Sequence, residues 1–189
     1  MTKMRAVALE RYLPIDHEDS LLDVLLDKPK PEGRDLLVRV KAVSVNPVDT
    51  KVRAPKDRVE PKPRVLGWDV AGIVEEVGPE CELFAPGDEV YYAGSIARPG
   101  GNSEFHLVDE RIVGHKPRTL DFAEAAAIPL TAITAWEGLF DRLGIPPEPE
   151  KNAGRTILVI GAAGGVGSIA TQLAAAAGLT VIGTASRPE

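Results

Sequence analysis

Apolar and polar residues alternate from Leu36 to Ala42. Leu36, Val38, Val40 and Ala42 share one face, with Arg39 and Lys41 opposite, which is the period of a half-buried strand. The phase slips to Val43 and Val45, which predicts a bulge. Other short runs follow the same logic: Met4–Leu9, the glycine-interrupted Gly67–Gly78, Glu89–Tyr92 and Ser103–Val108. Between them lie turn signals such as Pro86-Gly87-Asp88 and the Gly/Pro-rich residues 94–102. Short strands with regular turns predict an all-β, barrel-like unit over residues 1–118. Within it, residues 12–32 mix acids and prolines around an apolar run, Leu21–Leu26. Asn46-Pro47-Val48-Asp49 predicts a turn, or a turn opening a short helix through Lys51. Residues 53–64 are rich in proline and charge and are expected to form an exposed loop.

The pattern changes near residue 119. Thr119 is a cap candidate, Asp121 and Glu124 sit in a first turn, and alanines follow, so a helix is expected until Pro129 breaks it. Leu130–Leu143 predicts a second helix, ended by Gly144. After a Pro-rich loop, an apolar run at 156–160 meets Gly161-Ala-Ala-Gly164-Gly165-Val166-Gly167. An Ala-rich helix closing at Gly178 and a second apolar run complete a strand–turn–helix–strand unit of about 30 residues. Glycines there let backbone approach a ligand, and the N–H groups of a helix start favour phosphate. A dinucleotide site is expected; the alternative is a tight turn without ligand. NAD sites of this kind carry an acid roughly 20 residues on. Here the first acid after Gly161 is Glu189, and the second run ends Thr184-Ala185-Ser186-Arg187. A hydroxyl at Ser186 and the guanidinium of Arg187 suit a 2′-phosphate, so NADPH is expected over NADH. Arg187 reads otherwise as a solvated cation.

Composition narrows the classes. No apolar stretch approaches a membrane span, and no signal peptide is visible at the start. The net charge of −6 comes without a basic cluster, which argues against nucleic acid and anionic membranes as partners. The expected location is cytoplasmic. One cysteine, Cys81, excludes an internal disulfide and any multi-cysteine metal site. Its neighbours Glu80 and Glu82 are expected to raise the thiol pKa. Only two strands of doubly wound type precede the end of the 189 residues, where such a domain needs about five or six.

Five motifs occur in order: Val40–Thr50, Gly67–Gly78, Pro86–Val90, Ala127–Trp136 and Gly161–Gly167. On them the chain resembles the medium-chain dehydrogenase/reductase superfamily, in its quinone-oxidoreductase and zinc-type alcohol dehydrogenase-like branch. The resemblance implies a GroES-like β-barrel substrate domain, set at residues 1–120. A partial Rossmann NADP-binding domain follows at 121–189, with the active site in the cleft between the two. It also implies that the chain is the first half or so of such a protein, with homodimerisation possible at full length.

Zinc-dependent relatives use a Cys, a His with neighbouring Glu, and a second Cys. The matching positions here hold Asn46, Gly67-Trp68-Asp69 and Leu130. Trp and Leu cannot ligate, and catalytic zinc needs three protein ligands, so no zinc is expected. The implied activity is NADPH-dependent, zinc-independent hydride transfer to a quinone or an α,β-unsaturated carbonyl. The alternatives are a metal-free alcohol or aldehyde dehydrogenase, or a non-catalytic fragment of the parent enzyme. Asn46 and Asp49 fall at the cleft-facing strand end in relatives, and Asn46 is expected either to donate to the substrate oxygen or simply to fix a turn. Lys51 stands where many relatives carry Tyr, as a cationic donor or an exposed side chain. Thr131 and Thr134 either bond the cofactor or pack within their helix. The cofactor-binding set is completed by Gly161, Gly164, Gly165, Val166, Gly167, Ser186 and Arg187.

Overall fold

The computed structural model describes residues 2–186. The chain divides into two compact units, one running to Pro129 and the other beginning at Leu130.

In the first unit, ten-residue strands β1 (Lys3–Tyr12) and β3 (Asp35–Ser44) organise two sheets. β1 pairs antiparallel with β2 (Leu22–Asp27) on one side and with β4 (Lys56–Val65) on the other. β3 lies between β5 (Asp69–Val77) and β7 (Phe105–Asp109). β5 continues to β6 (Glu89–Ala93), which pairs with the two-residue β8 (Gly114–His115). The buried face follows the alternation: Leu36, Val38, Val70, Val74, Val90, Tyr92 and Val108 form one core. The expected slip in β3 appears as register shifts between Leu37 and Val38 and between Val40 and Ala42.

Two expectations are corrected. The strands do not close into one barrel. Instead the sheets β2-β1-β4 and β7-β3-β5-β6-β8 stand separately among the described residues. Between β1 and β3 runs an irregular segment, which bonds both through Val7 N–H to Asn102 O, Glu104 N–H to Arg5 O and Val40 N–H to Glu104 O. Residues 53–64, expected as a loop, include most of β4. Its prolines are tolerated because β4 is an edge strand, where a missing N–H faces away from the ladder. Most of the apolar run Leu21–Leu26, for which no element was expected, lies in β2, with Val24 and Leu26 packing on Ala6, Ala8 and Val65.

Helix α1 (Pro47–Arg53) follows β3 directly. Helix α2 (Phe122–Ala126) is capped by Asp121, whose carboxylate accepts the Glu124 N–H at 2.8 Å while Glu124 accepts the Asp121 N–H at 2.9 Å. Its alanines Ala125 and Ala126 pack on Ala71 of the large sheet.

Helix α2 ends at Ala126, ahead of the proline expected to break it; helix α3 (Pro129–Trp136) starts on that proline and passes into a π-helical stretch, Glu137–Arg142. In the second unit β9 (Thr156–Val159), α4 (Gly165–Ala176) and β10 (Thr180–Gly183) form a parallel β–α–β unit, with Thr180 opposite Thr156 and Gly183 opposite Val159. Ala135, Leu139, Ile145, Ala170, Ala174 and Leu179 form its core.

Candidate active site and nucleotide cradle

The start of α1 gathers three buried polar side chains: Asn46, Asp49 and Asp69 are 6%, 9% and 0% exposed. Asn46 is the N-cap and Pro47 the first helical residue, where the missing N–H costs nothing. Asp49 accepts the Asn46 backbone N–H at 2.7 Å and the Gly67 N–H at 3.1 Å. The Asn46 side-chain Nδ2 donates to Asp69 Oδ2 at 2.7 Å. An amide nitrogen carries two hydrogens, so this bond uses one and orients the other. Val48 and Val52 anchor the helix against Leu9, Tyr12, Leu66 and Trp68. Lys51 is exposed. Two residues on from Asp49, it points to the far side of α1 and does not join the cluster. Asp69 stands out in the sequence only as the last residue of the Gly67-Trp68-Asp69 triplet, with no signal that it orients Asn46.

Gly67 adopts φ +88°, and a Cβ there would lie 2.2 Å from Asn102 Oδ1. The loop after β6 approaches the link between β4 and β5 closely: Gly100 N–H bonds Val65 O at 2.9 Å, Gly101 N–H bonds Gly67 O at 2.6 Å and Asn102 N–H bonds Leu66 O at 2.9 Å. Arg98 ties the loop to Asp35 through two bonds of 2.8 and 2.7 Å. His106, 4% exposed, holds Pro99 O through Nε2 at 3.0 Å and meets Tyr92 Oη through Nδ1 at 2.9 Å. A carbonyl only accepts, so Nε2 carries the hydrogen and Tyr92 donates to Nδ1. Burial pushes the His106 pKa down from 6.5 to about 4. Burial also raises the Cys81 thiol, with Glu110 and Asp35 adding to it; the expected contributors Glu80 and Glu82 do not.

These residues do not fit a zinc ion. Asp69 is engaged by an amide donor and both Asp49 oxygens by backbone N–H groups. The residue between Gly67 and Asp69 is a buried indole, Trp68, whose Nε1 has no hydrogen-bond partner among the described residues. Among those residues no three His, Cys, Asp or Glu side chains assemble as a metal site. His106 and His115, sited in β7 and β8, gain no such companions.

In the second unit the glycine turn is built for close approach. Gly161 has φ +73°. A Cβ on Gly167 would fall 2.2 Å from Gly161 O, so the helix start abuts the turn. Gly164 caps α4, and Ser168 N–H is bonded back to Gly164 O at 2.8 Å. The N–H groups of Gly165, Val166 and Gly167 precede that first helical bond and point out of the helix start. Thr184 closes the turn: its Oγ1 accepts the Gly161 N–H at 3.1 Å and its carbonyl accepts the Ala162 N–H at 2.9 Å. Thr131 lies beside the turn, its Cγ2 3.3 Å from where a Gly165 Cβ would sit. The Thr134 hydroxyl bonds Leu130 O at 2.7 Å within α3. Ser186 is exposed after β10, and Arg187 lies outside the described residues. Asn152, unremarked in the sequence, is buried and donates to Pro146 O and Ala177 O, tying the loop before β9 to the end of α4.

Residues 32–134 match the alcohol dehydrogenase GroES-like domain. The chain belongs to the medium-chain dehydrogenase/reductase superfamily. The chain is 54% identical over 187 residues to a zinc-type alcohol dehydrogenase-like protein of Staphylococcus aureus, the match covering 98% of this chain and 55% of that protein. It is 42% identical over 154 residues to the 2-methylene-furan-3-one reductase of Solanum lycopersicum, covering 77% and 38%. It is 38% identical over 162 residues to human quinone oxidoreductase, covering 85% and 47%. A crystal structure from Rhizobium etli, ascribed to the zinc-dependent alcohol dehydrogenases, superposes with a TM-score of 0.91 at 60% identity, over 100% of this chain and 55% of that one. The superfamily member described here thus spans about half the length of the curated relatives it matches first. No helix among the described residues is long and apolar enough to cross a membrane.

Proposed function

We propose that the protein is an NADPH-dependent, zinc-independent oxidoreductase that reduces quinones or α,β-unsaturated carbonyls. The observation that carries this reading is the Asn46 amide held by Asp69 at 2.7 Å, where a zinc-type site needs a ligand. Reduction of a conjugated carbonyl builds negative charge on its oxygen, and a preorganised donor is worth most there. The second Asn46 N–H is that donor. Asp69 fixes the amide plane and Asp49 fixes its backbone, so little reorganisation is needed when the charge forms. NADPH, when bound, supplies the hydride.

The β9–α4–β10 unit opens a Rossmann domain in this reading. The N–H groups of Gly165–Gly167 receive the pyrophosphate. Ser186 and Arg187 read the 2′-phosphate, and Thr131 and Thr134 face the nicotinamide end. The quinone and furanone reductases among the relatives support a compact conjugated substrate. The domain division near residue 120, a small-molecule partner and a homodimer at full length belong to the same proposal.

Cofactor titration tests it. NADPH is expected to bind at least tenfold more tightly than NADH, and Arg187→Ala is expected to erase that difference. Equal affinity of the unaltered protein for both cofactors overturns the 2′-phosphate assignment. Failure to bind NADPH at millimolar concentration overturns the reductase.

A further inference from the structure

The first unit holds a cavity of about 220 Å³ that no part of the proposed reaction uses. It lies against β1, β2, β4 and β7, open to solvent on one side. Met4, Leu26, Pro63, Val65, Phe105 and Leu107 give it apolar walls. Asn46, Asp49, Gly67 and Asp69 do not line it.

The charged and hydrogen-bonding side chains that reach its wall already have partners. Asp27 pairs with Lys3 at 2.8 Å. Arg98 forms its two-point pair with Asp35. Both ring nitrogens of His106 are engaged, by Tyr92 and by Pro99 O. The Ser103 hydroxyl donates to Phe105 O at 2.8 Å. A charged ligand would therefore lose its hydration and find no uncommitted counter-charge, a cost that apolar contact does not offset. An uncharged ligand loses little and covers apolar wall at about 25 cal/mol per Å². Size sets the other limit: an apolar cavity of about 150 Å³ holds benzene. This larger one takes one substituted aromatic ring. Prolines at positions 63 and 99 stiffen the wall, so the cavity is preformed.

We infer that this cavity is a second binding site, separate from the Asn46 cluster, for a compact uncharged apolar molecule of single-ring size. Its wall and the proposed catalytic strand share one loop. Gly100 lines the cavity and bonds Val65 O, while the next residue, Gly101, bonds Gly67 O. Occupancy is thus expected to slow amide exchange at Gly100 and Gly101. The inference does not depend on the reductase reading.

Toluene, with benzoate as its charged counterpart, tests it by methyl-resolved NMR. Saturable shifts are expected at Met4, Leu26, Val65 and Leu107, with benzoate at least tenfold weaker. Leu26→Phe and Leu107→Trp, each filling the cavity from a different wall, are expected to abolish the toluene shifts. Both are made so that a folding defect in one leaves the other informative, and thermal unfolding reports which are folded. No saturable shift at those four residues overturns the inference. So do toluene shifts that survive in a folded filled variant. Equal binding of benzoate overturns the uncharged class.

Discussion

The Asn46 side-chain amide and the Asp69 carboxylate meet at 2.7 Å with both groups buried. Removing the acceptor orphans a buried amide hydrogen. Asp69→Leu is therefore expected to cost about 1–3 kcal/mol of stability in denaturant unfolding, with Asp69→Asn closer to the unaltered protein. Equal stability of all three would mean that the pair does not hold the α1 start.

The same pairing makes a statement about metal. Purified protein is expected to carry far less than one zinc per chain, and chelation is expected to leave carbonyl reduction unchanged. Elemental analysis returning stoichiometric zinc at the Asn46 cluster contradicts the geometry.

The glycine turn separates two kinds of glycine. A Cβ at Gly167 would stand 2.2 Å from the Gly161 carbonyl, whereas one at Gly164 would stand 3.3 Å from it. Gly167→Ala must push the helix start away from the turn, and NADPH affinity is expected to fall by at least tenfold. Gly164→Ala requires only a few tenths of an ångström, and its loss is expected to be the smaller one. Calorimetric titration checks the order, and the reverse order contradicts the cradle.

His106 couples pH to stability. Its pKa is about 4 in the folded protein, against 6.5 for an ordinary histidine, because burial disfavours the charged ring. Between those values the unfolded chain binds a proton that the folded one does not. Stability from this residue is complete above pH about 6.5 and is lost as pH falls toward 4, on the order of 3 kcal/mol in all. Denaturant unfolding at pH 7, 5.5 and 4.5 is expected to show that slope. His106→Gln is expected to flatten it whatever its stability at pH 7; an unchanged slope would assign the effect to another group.

Much of this was legible in the sequence. The alternation at Leu36–Ala42 located β3, and the spacing of glycines after an apolar run located the β9–α4–β10 unit. Proline content misled at β4, because an edge strand lacks the ladder bond that proline destroys. Barrel closure was not legible either, since it depends on how the irregular segment 102–104 bridges β1 and β3. Asn46 and Asp49 stood out by their motif. The partner that orients Asn46 did not, because Asp69 is 23 residues away and only the register of β3 on β5, Ser44 opposite Asp69, brings the two together.

In the proposed reaction the Asn46 amide stabilises charge on the substrate oxygen. Steady-state NADPH oxidation with an enone or quinone acceptor, comparing the unaltered protein with Asn46→Ala, tests it most directly. The expected result is a fall in kcat of about 100-fold or more, the size seen when one such donor is removed, with NADPH affinity within about twofold. An unchanged kcat in a folded Asn46→Ala protein would contradict the account.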